Sequence, residues 1–253
     1  MAPFSEHERP RSVWTTVGGL RVHARVLGPE DAAPVVLVHG LVVSGLYTVP
    51  TLKLLARTFR VYAPDLPGFG ASEKPARPLD VGGLSEALAA WMRAVGLEGA
   101  ALVGNSVGCQ VVTELAVRHP RLVGKVVLQG PTMDRRGRSA VRHVGRLLLD
   151  VLREPPSLLA VEVFDLLRAG VGRSWRTFRY ALDDPVEERL PGVGVPTLVV
   201  HGLRDPISPR PWAEEVARLL PRGRLVVIPA AHAANYSAPA ELVREIQTFL
   251  DEG

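Results

Sequence analysis

The chain carries one cysteine, Cys109, in 253 residues, only three lysines among 30 basic residues, and 6% aromatic side chains. A lone cysteine excludes an intramolecular disulfide and fits a reducing compartment. No apolar run approaches the roughly 18 residues that a membrane-crossing helix needs, and residues 1–10 lack the apolar centre of a secretory signal. A soluble, cytoplasmic protein with no membrane partner is therefore expected. A large excess of one charge is also missing. The net charge is +4 although the pI is 9.6, and acidic residues are interspersed with basic ones, so no nucleic-acid partner is expected. Repeats and low-complexity linkers are absent. What is there, 47% hydrophobic and 22% charged residues, suffices for one globular core with an insertion.

The most informative stretch is residues 102–109. An apolar run ending at Val103 turns sharply through Gly104-Asn105-Ser106-Val107-Gly108 into a helical segment reaching about Arg118. This is a G-x-S-x-G nucleophile elbow, in which two glycines let strand and helix approach and a serine stands exposed at the tip. The plainer alternative is a serine that caps a helix.

From the start of the chain, residues 12–17 and 20–27 read as a hairpin around Gly18-Gly19. Residues 35–38 form a continuous apolar strand of the parallel-sheet kind, ending at His39-Gly40. A helix over 44–57, weakened by Pro50, a strand over 59–63, a helix over 82–95, the elbow strand over 100–103 and a strand over 125–128 follow. The alternation predicts a doubly wound, mostly parallel sheet flanked by helices. Between residues 131 and 190 the period changes to three helical stretches. The first sets Val141, Val144, Leu148 and Val151 on one face and Arg142, Arg146 and Arg153 on another. The segment reads as a lid over the strand ends, the alternative being extra core helices. Core residues 1–130 and 191–253, with a lid over 131–190, complete the expected organisation. Its last elements are strands at 197–200 and 225–228 and helices at 209–220 and 239–250.

A nucleophilic serine needs a base. His7 lies in the N-terminal segment, His23 in an edge strand, His119 at a helix end and His143 in the lid, while His39 and His201 precede glycines at strand ends. His232 lies in a loop just beyond the last strand without an evident packing partner, which selects it as the base; the alternative is a surface histidine. Asp205 follows the preceding strand, so its loop emerges on the same face, where an acid can hold the base's tautomer and stabilise its charged form. Its other reading is a turn residue before Pro206.

The order Ser106, Asp205, His232, together with His39-Gly40, the segment Asp65-Leu66-Pro67-Gly68-Phe69-Gly70-Ala71-Ser72 and Ala231-His232, resembles the α/β-hydrolase superfamily over essentially the whole chain. The resemblance implies an α/β-hydrolase fold of about eight strands with an inserted helical cap. It also implies backbone N–H groups of Leu41 and Val107 as the oxyanion hole, and esterase-like acyl transfer from a small or medium carboxylic ester through an acyl-enzyme, without cofactor or metal. Dehalogenases and epoxide hydrolases of this fold carry aspartate where Ser106 stands. Hydrolases that cleave C–C bonds share the Gly-Asn-Ser start of the elbow, but this chain has Val42-Val43-Ser44 and Ala233 where they usually carry Gly-Pro-Gly and tryptophan. C–C hydrolase, thioesterase and, from another class, small-molecule receptor or non-hydrolytic biosynthetic catalyst are the alternatives.

Phe164, Trp175 and Phe178 are expected to give the lid an apolar pocket wall, or else to pack it onto the core. Arg135, Arg136, Arg138, Arg142 and Arg146 form either a solvated face or a site for an anionic leaving group. The expected partner is a small-molecule substrate, the expected state a monomer or homodimer.

Overall fold

The computed structural model describes residues 9–252; His7, with the rest of residues 1–8, and Gly253 lie outside the described residues. An eight-stranded sheet runs in the order β1-β2-β4-β3-β5-β6-β7-β8. Its strands are β1 (Arg11–Val17), β2 (Leu20–Leu27), β3 (Pro34–Val38), β4 (Arg60–Pro64), β5 (Ala100–Asn105), β6 (Val123–Gln129), β7 (Thr197–Gly202) and β8 (Gly223–Ile228). The hairpin β1–β2 joins β4 antiparallel, and every pairing from β4 to β8 is parallel. From β3 the chain moves outward to β4, then crosses back to β5 on the other side. That reversal opens a crevice at the carboxyl ends of β3 and β5, where ligands bind in such sheets.

The central strands are apolar on both sides because each side has its own helices. Along β3, Val36 and Val38 join Leu102, Leu128 and Val199 under helices α2 (Val81–Ala94), α3 (Val107–Arg118) and α8 (Arg210–Leu219). The alternate residues Val35 and Leu37 join Val103, Val127 and Val200 under α1 (Val49–Leu55) and α10 (Pro239–Asp251). This period-two division is what a strand buried on both faces requires. Each fully buried leucine, Leu102 or Leu52 for example, makes a truncation to alanine cost about 2–5 kcal/mol.

The first helix starts later than expected, and Pro50 is the reason. The helix expected over 44–57 spans only Val49–Leu55, with Pro50 in its first turn. There a missing N–H costs nothing and the fixed φ suits the helix, so Pro50 starts this helix rather than weakening it. Between β6 and β7 lie α4 (Ala140–Val151), α5 (Pro156–Ala169), α6 (Val171–Asp183) and the short α7 (Val186–Arg189). The four-residue α9 (Ala234–Ser237) follows β8.

Candidate active site

Ser106 stands between β5 and α3 with φ 55° and ψ −122°. A non-glycine residue at positive φ is strained and persists only where its surroundings hold it. Here its N–H donates to the Gln129 carbonyl at 3.1 Å and its carbonyl accepts from Cys109 N–H at 3.0 Å. The flanking glycines are required by close approach. A Cβ on Gly104 would lie 2.7 Å from the Gly108 carbonyl oxygen, and one on Gly108 would run into the carbonyl of Val38. The loop after β3 is equally close, since a Cβ on Gly40 would stand 3.0 Å from Ser106 Cβ. Leu41 thus follows a residue in contact with the serine. Val107 opens α3, in whose first turn the N–H groups lack partners from the helix itself. Cys109 is buried and its thiol donates to the Gly104 carbonyl at 3.2 Å, with burial pushing its pKa well up.

The residues expected as base and acid are brought together. His232 Nδ1 lies 2.8 Å from Asp205 Oδ2, both side chains being buried. Asp205 Oδ1 accepts from the N–H groups of Ile207 and Ser208 at 2.8 and 2.9 Å, which fixes the carboxylate. Burial alone opposes a charge on His232, but the field and hydrogen bond of Asp205, reinforced by Asp150 and Glu154, outweigh it and raise its pKa. Gln129 connects this pair to the serine. Its main chain holds Ser106, its Nε2 donates to the His232 carbonyl at 2.8 Å, and its Oε1 accepts from Asn105 Nδ2. Gly130 then lies directly against the pair, where a Cβ would be 3.0 Å from His232 Nδ1 and 3.1 Å from Asp205 Oδ2.

The other described histidines are committed elsewhere or stand apart. His39 Nδ1 donates to the Gly40 carbonyl at 2.7 Å and its Nε2 accepts from Leu66 N–H at 2.9 Å, which makes it a neutral strut whose pKa burial lowers. His23 meets Asp65 Oδ2 at 2.9 Å, His119 meets Glu86, and His143 Nδ1 bonds the Ser139 carbonyl at 3.1 Å. His201 is buried with Nδ1 unpartnered. Asp134, the acid nearest in sequence to the end of β6, faces Arg136 N–H and Arg146 instead of His232.

Several residues with a part in the site were not singled out from the sequence. Asp65 is a fully buried anchor that accepts from His23, Arg25, Gly45 N–H and Ala71 N–H. Burial works against its charge, yet His23, Arg25 and the main-chain donor hold its carboxyl down at about 2. From α4 and the turn after it, Asp150 accepts from His232 N–H at 3.3 Å and Glu154 from Ala233 N–H at 2.7 Å. Burial, with the neighbouring carboxylates, raises Asp150 to about 6 and Glu162 to about 7. Their signal in the sequence was a polar stripe at helical spacing, His143, Arg146, Asp150 and Glu154, which reads as a solvent face until its direction is known.

The lid residues require corrections. Phe164 and Trp175 are 53% and 50% exposed, while Phe178 is half-buried against the core with its ring 6.3 Å from His143. The outward turn of α5 and α6 is the reason. Of the arginines, Arg135 and Arg136 face Glu215, Arg138 faces Glu187 and Arg146 lies 3.9 Å from Asp134. Acid partners face four of the five arginines of the cluster.

Residues 35–245 match the model of the Alpha/beta hydrolase family. The chain is 29% identical over 231 residues, 78% of its length and 79% of the relative's, to the 2-hydroxymuconate semialdehyde hydrolase of Pseudomonas putida. Among solved structures it is similar to a membrane phospholipase A described as a bacterial virulence factor, with TM-score 0.84 and 26% identity over 97% of this chain and 87% of that one. It is also similar in fold to the enol-lactonase from Burkholderia xenovorans LB400, with TM-score 0.81 and 23% identity over 95% and 100% of the two chains.

Proposed function

Since the chain belongs to the alpha/beta hydrolase family, we propose that it is a serine hydrolase transferring the acyl group of a small or medium carboxylic ester to water. The observation that carries this reading is the strained Ser106, joined through Gln129 to a buried His232–Asp205 pair. Ser106 Oγ attacks the ester carbonyl as His232 Nε2 takes its proton. Asp205 keeps the other ring proton on Nδ1 and stabilises the imidazolium. The N–H groups of Leu41 and Val107 receive the oxyanion, a contribution whose loss typically costs about 2.7–4 kcal/mol. His232 returns the proton to the leaving alcohol, then activates the water that releases the acid and restores Ser106. The cap carboxylates Asp150 and Glu154 beside the His232 loop favour a neutral substrate over an anionic one.

A second reading, hydrolysis of a C–C bond, is supported by the 2-hydroxymuconate semialdehyde hydrolase relative. The test is fluorophosphonate labelling with the site mapped by mass spectrometry, beside turnover of p-nitrophenyl acetate, butyrate and octanoate and of a meta-ring-fission product. Label on Ser106 with repeated ester turnover supports the first reading. Turnover confined to the ring-fission product assigns the second, and absence of label together with absence of turnover refutes both.

A further inference from the structure

Helix α4 is turned inside out, and α5 is so in part, since it buries Leu158 and Ala169 beside its inward polar groups. Along α4 the buried or half-buried positions include His143, Arg146 and Asp150, with Glu154 continuing the stripe after the helix. The exposed positions are Val141, Val144, Leu147, Leu148, Leu149 and Leu152, the first and last at 84% and 82%. On α5, Glu162 and Asp165 are turned in, while Leu159, Val163, Phe164 and Leu167 face out, Leu167 at 71%. Val171 and Trp175 on α6 extend the same exposed surface. An amphipathic helix in water buries its apolar stripe, and large apolar side chains exposed in this number on three successive helices mark an interaction surface.

The charges on this surface say what covers it. On α4, α5 and α6 and the turns joining them the exposed charged side chains are Arg142, Arg153, Arg168, Arg176 and Arg179, against one exposed carboxylate, Asp183, at the C-terminal end of α6; Asp150, Glu154, Glu162 and Asp165 are all buried or half-buried. A second copy docked through the same face would set arginine against arginine. Apolar side chains interleaved with cations of one sign instead match an anionic lipid surface, where the side chains enter the acyl boundary and guanidinium groups meet phosphate. No helix among the described residues is long and apolar enough to cross a membrane, which leaves lying on one open. We propose that the outer face of α4, α5 and α6 docks on an anionic phospholipid bilayer, which revises the expectation of no membrane partner.

Co-sedimentation of the full chain with mixed phosphatidylcholine–phosphatidylglycerol vesicles, and with pure phosphatidylcholine vesicles, tests this. The chain is expected to bind the mixed vesicles, to release at raised salt, and to bind the pure vesicles at least about 10-fold more weakly. The triple variant Leu148→Ser, Leu152→Ser, Leu167→Ser is expected to lose binding with thermal unfolding unchanged. Arg176→Gln with Arg179→Gln is expected to weaken it by about 30-fold, through charge alone. Absence of binding to the mixed vesicles, or equal binding to both kinds, overturns the proposal. So does a concentration-dependent dimer in sedimentation equilibrium without lipid that the leucine substitutions abolish, because the face would then belong to a second copy.

Discussion

Replacing Gly130 by alanine tests the His232–Asp205 pair without touching either residue. The new methyl would stand 3.0 Å from His232 Nδ1, 3.1 Å from Asp205 Oδ2 and 3.1 Å from His232 Cε1, against the 3.4 Å or more of an ordinary contact, so the pair must yield by a few tenths of an ångström. It cannot yield without loosening the 2.8 Å bond between them. Gly130 also has φ +55°, which costs an alanine about 1–2 kcal/mol and lowers Tm by roughly 2–8 °C for a chain of this size. A misplacement of 1 Å costs about 100-fold in rate, so a loss of about 10- to 100-fold in kcat is expected, with KM little changed. Asp205 raises the pKa of His232, so parting the two moves the acid limb of the kcat/KM profile to lower pH. Gly194→Ala, where no heavy atom stands within 4 Å, is the control. Wild-type kcat and pH profile in soluble, folded Gly130→Ala would refute the reasoning.

Ser106→Ala is expected to lower kcat by several orders of magnitude with substrate binding largely kept, as read by steady-state kinetics and equilibrium binding; near-normal turnover would remove the serine from the mechanism. Asp205→Asn is expected to be severely impaired and Asp134→Asn mildly, since only Asp205 meets His232; the opposite ranking in kcat would move the acid to the loop after β6. Asp150→Asn with Glu154→Gln keeps both hydrogen-bond acceptors but removes two charges that raise the His232 pKa. The neutral base then persists to lower pH, and the acid limb of kcat/KM shifts down by roughly 0.5–1 unit. An unmoved limb would show that those fields do not reach the imidazole.

How far the molecule was legible depended on the kind of constraint. The strands were readable because burial on two faces demands uninterrupted apolar runs, and the runs at Val35, Leu102 and Val126 feed both cores. The elbow was readable because its requirements are local: Gly104 and Gly108 have no room for a Cβ, and Ser106 sits where strand becomes helix. His232 and Asp205 needed only the knowledge that consecutive parallel strands deliver their loops to one face. Gly130 and Gln129 were passed over as the end of a strand, since their part in the site arises from contacts with residues about a hundred positions away.

The helices between β6 and β7 mark the limit of pattern reading for a different reason. Periodicity gives the phase of an amphipathic helix, but the direction of its apolar side follows only if water is assumed outside. On α4 the sequence separates an apolar face from an arginine face without saying which turns inward: Val141, Val144 and Leu148 form one exposed stripe, while Val151 and Arg146 are half-buried. The inversion brings Asp150 and Glu154 within reach of the His232 loop, where an outward-facing carboxylate would be solvated and remote from the site. It also leaves Asp150 with a pKa of about 6, above its value in an unfolded chain, so the folded state binds the extra proton. That burial is therefore without penalty below about pH 4, and costs stability as pH rises towards 6 and beyond. Asp150→Asn should for that reason raise Tm at neutral pH and leave it unchanged near pH 4. A neutral-pH Tm that does not rise would mean that the cap does not bury this carboxylate beside His232, and the inward direction of the polar stripe would fail with it.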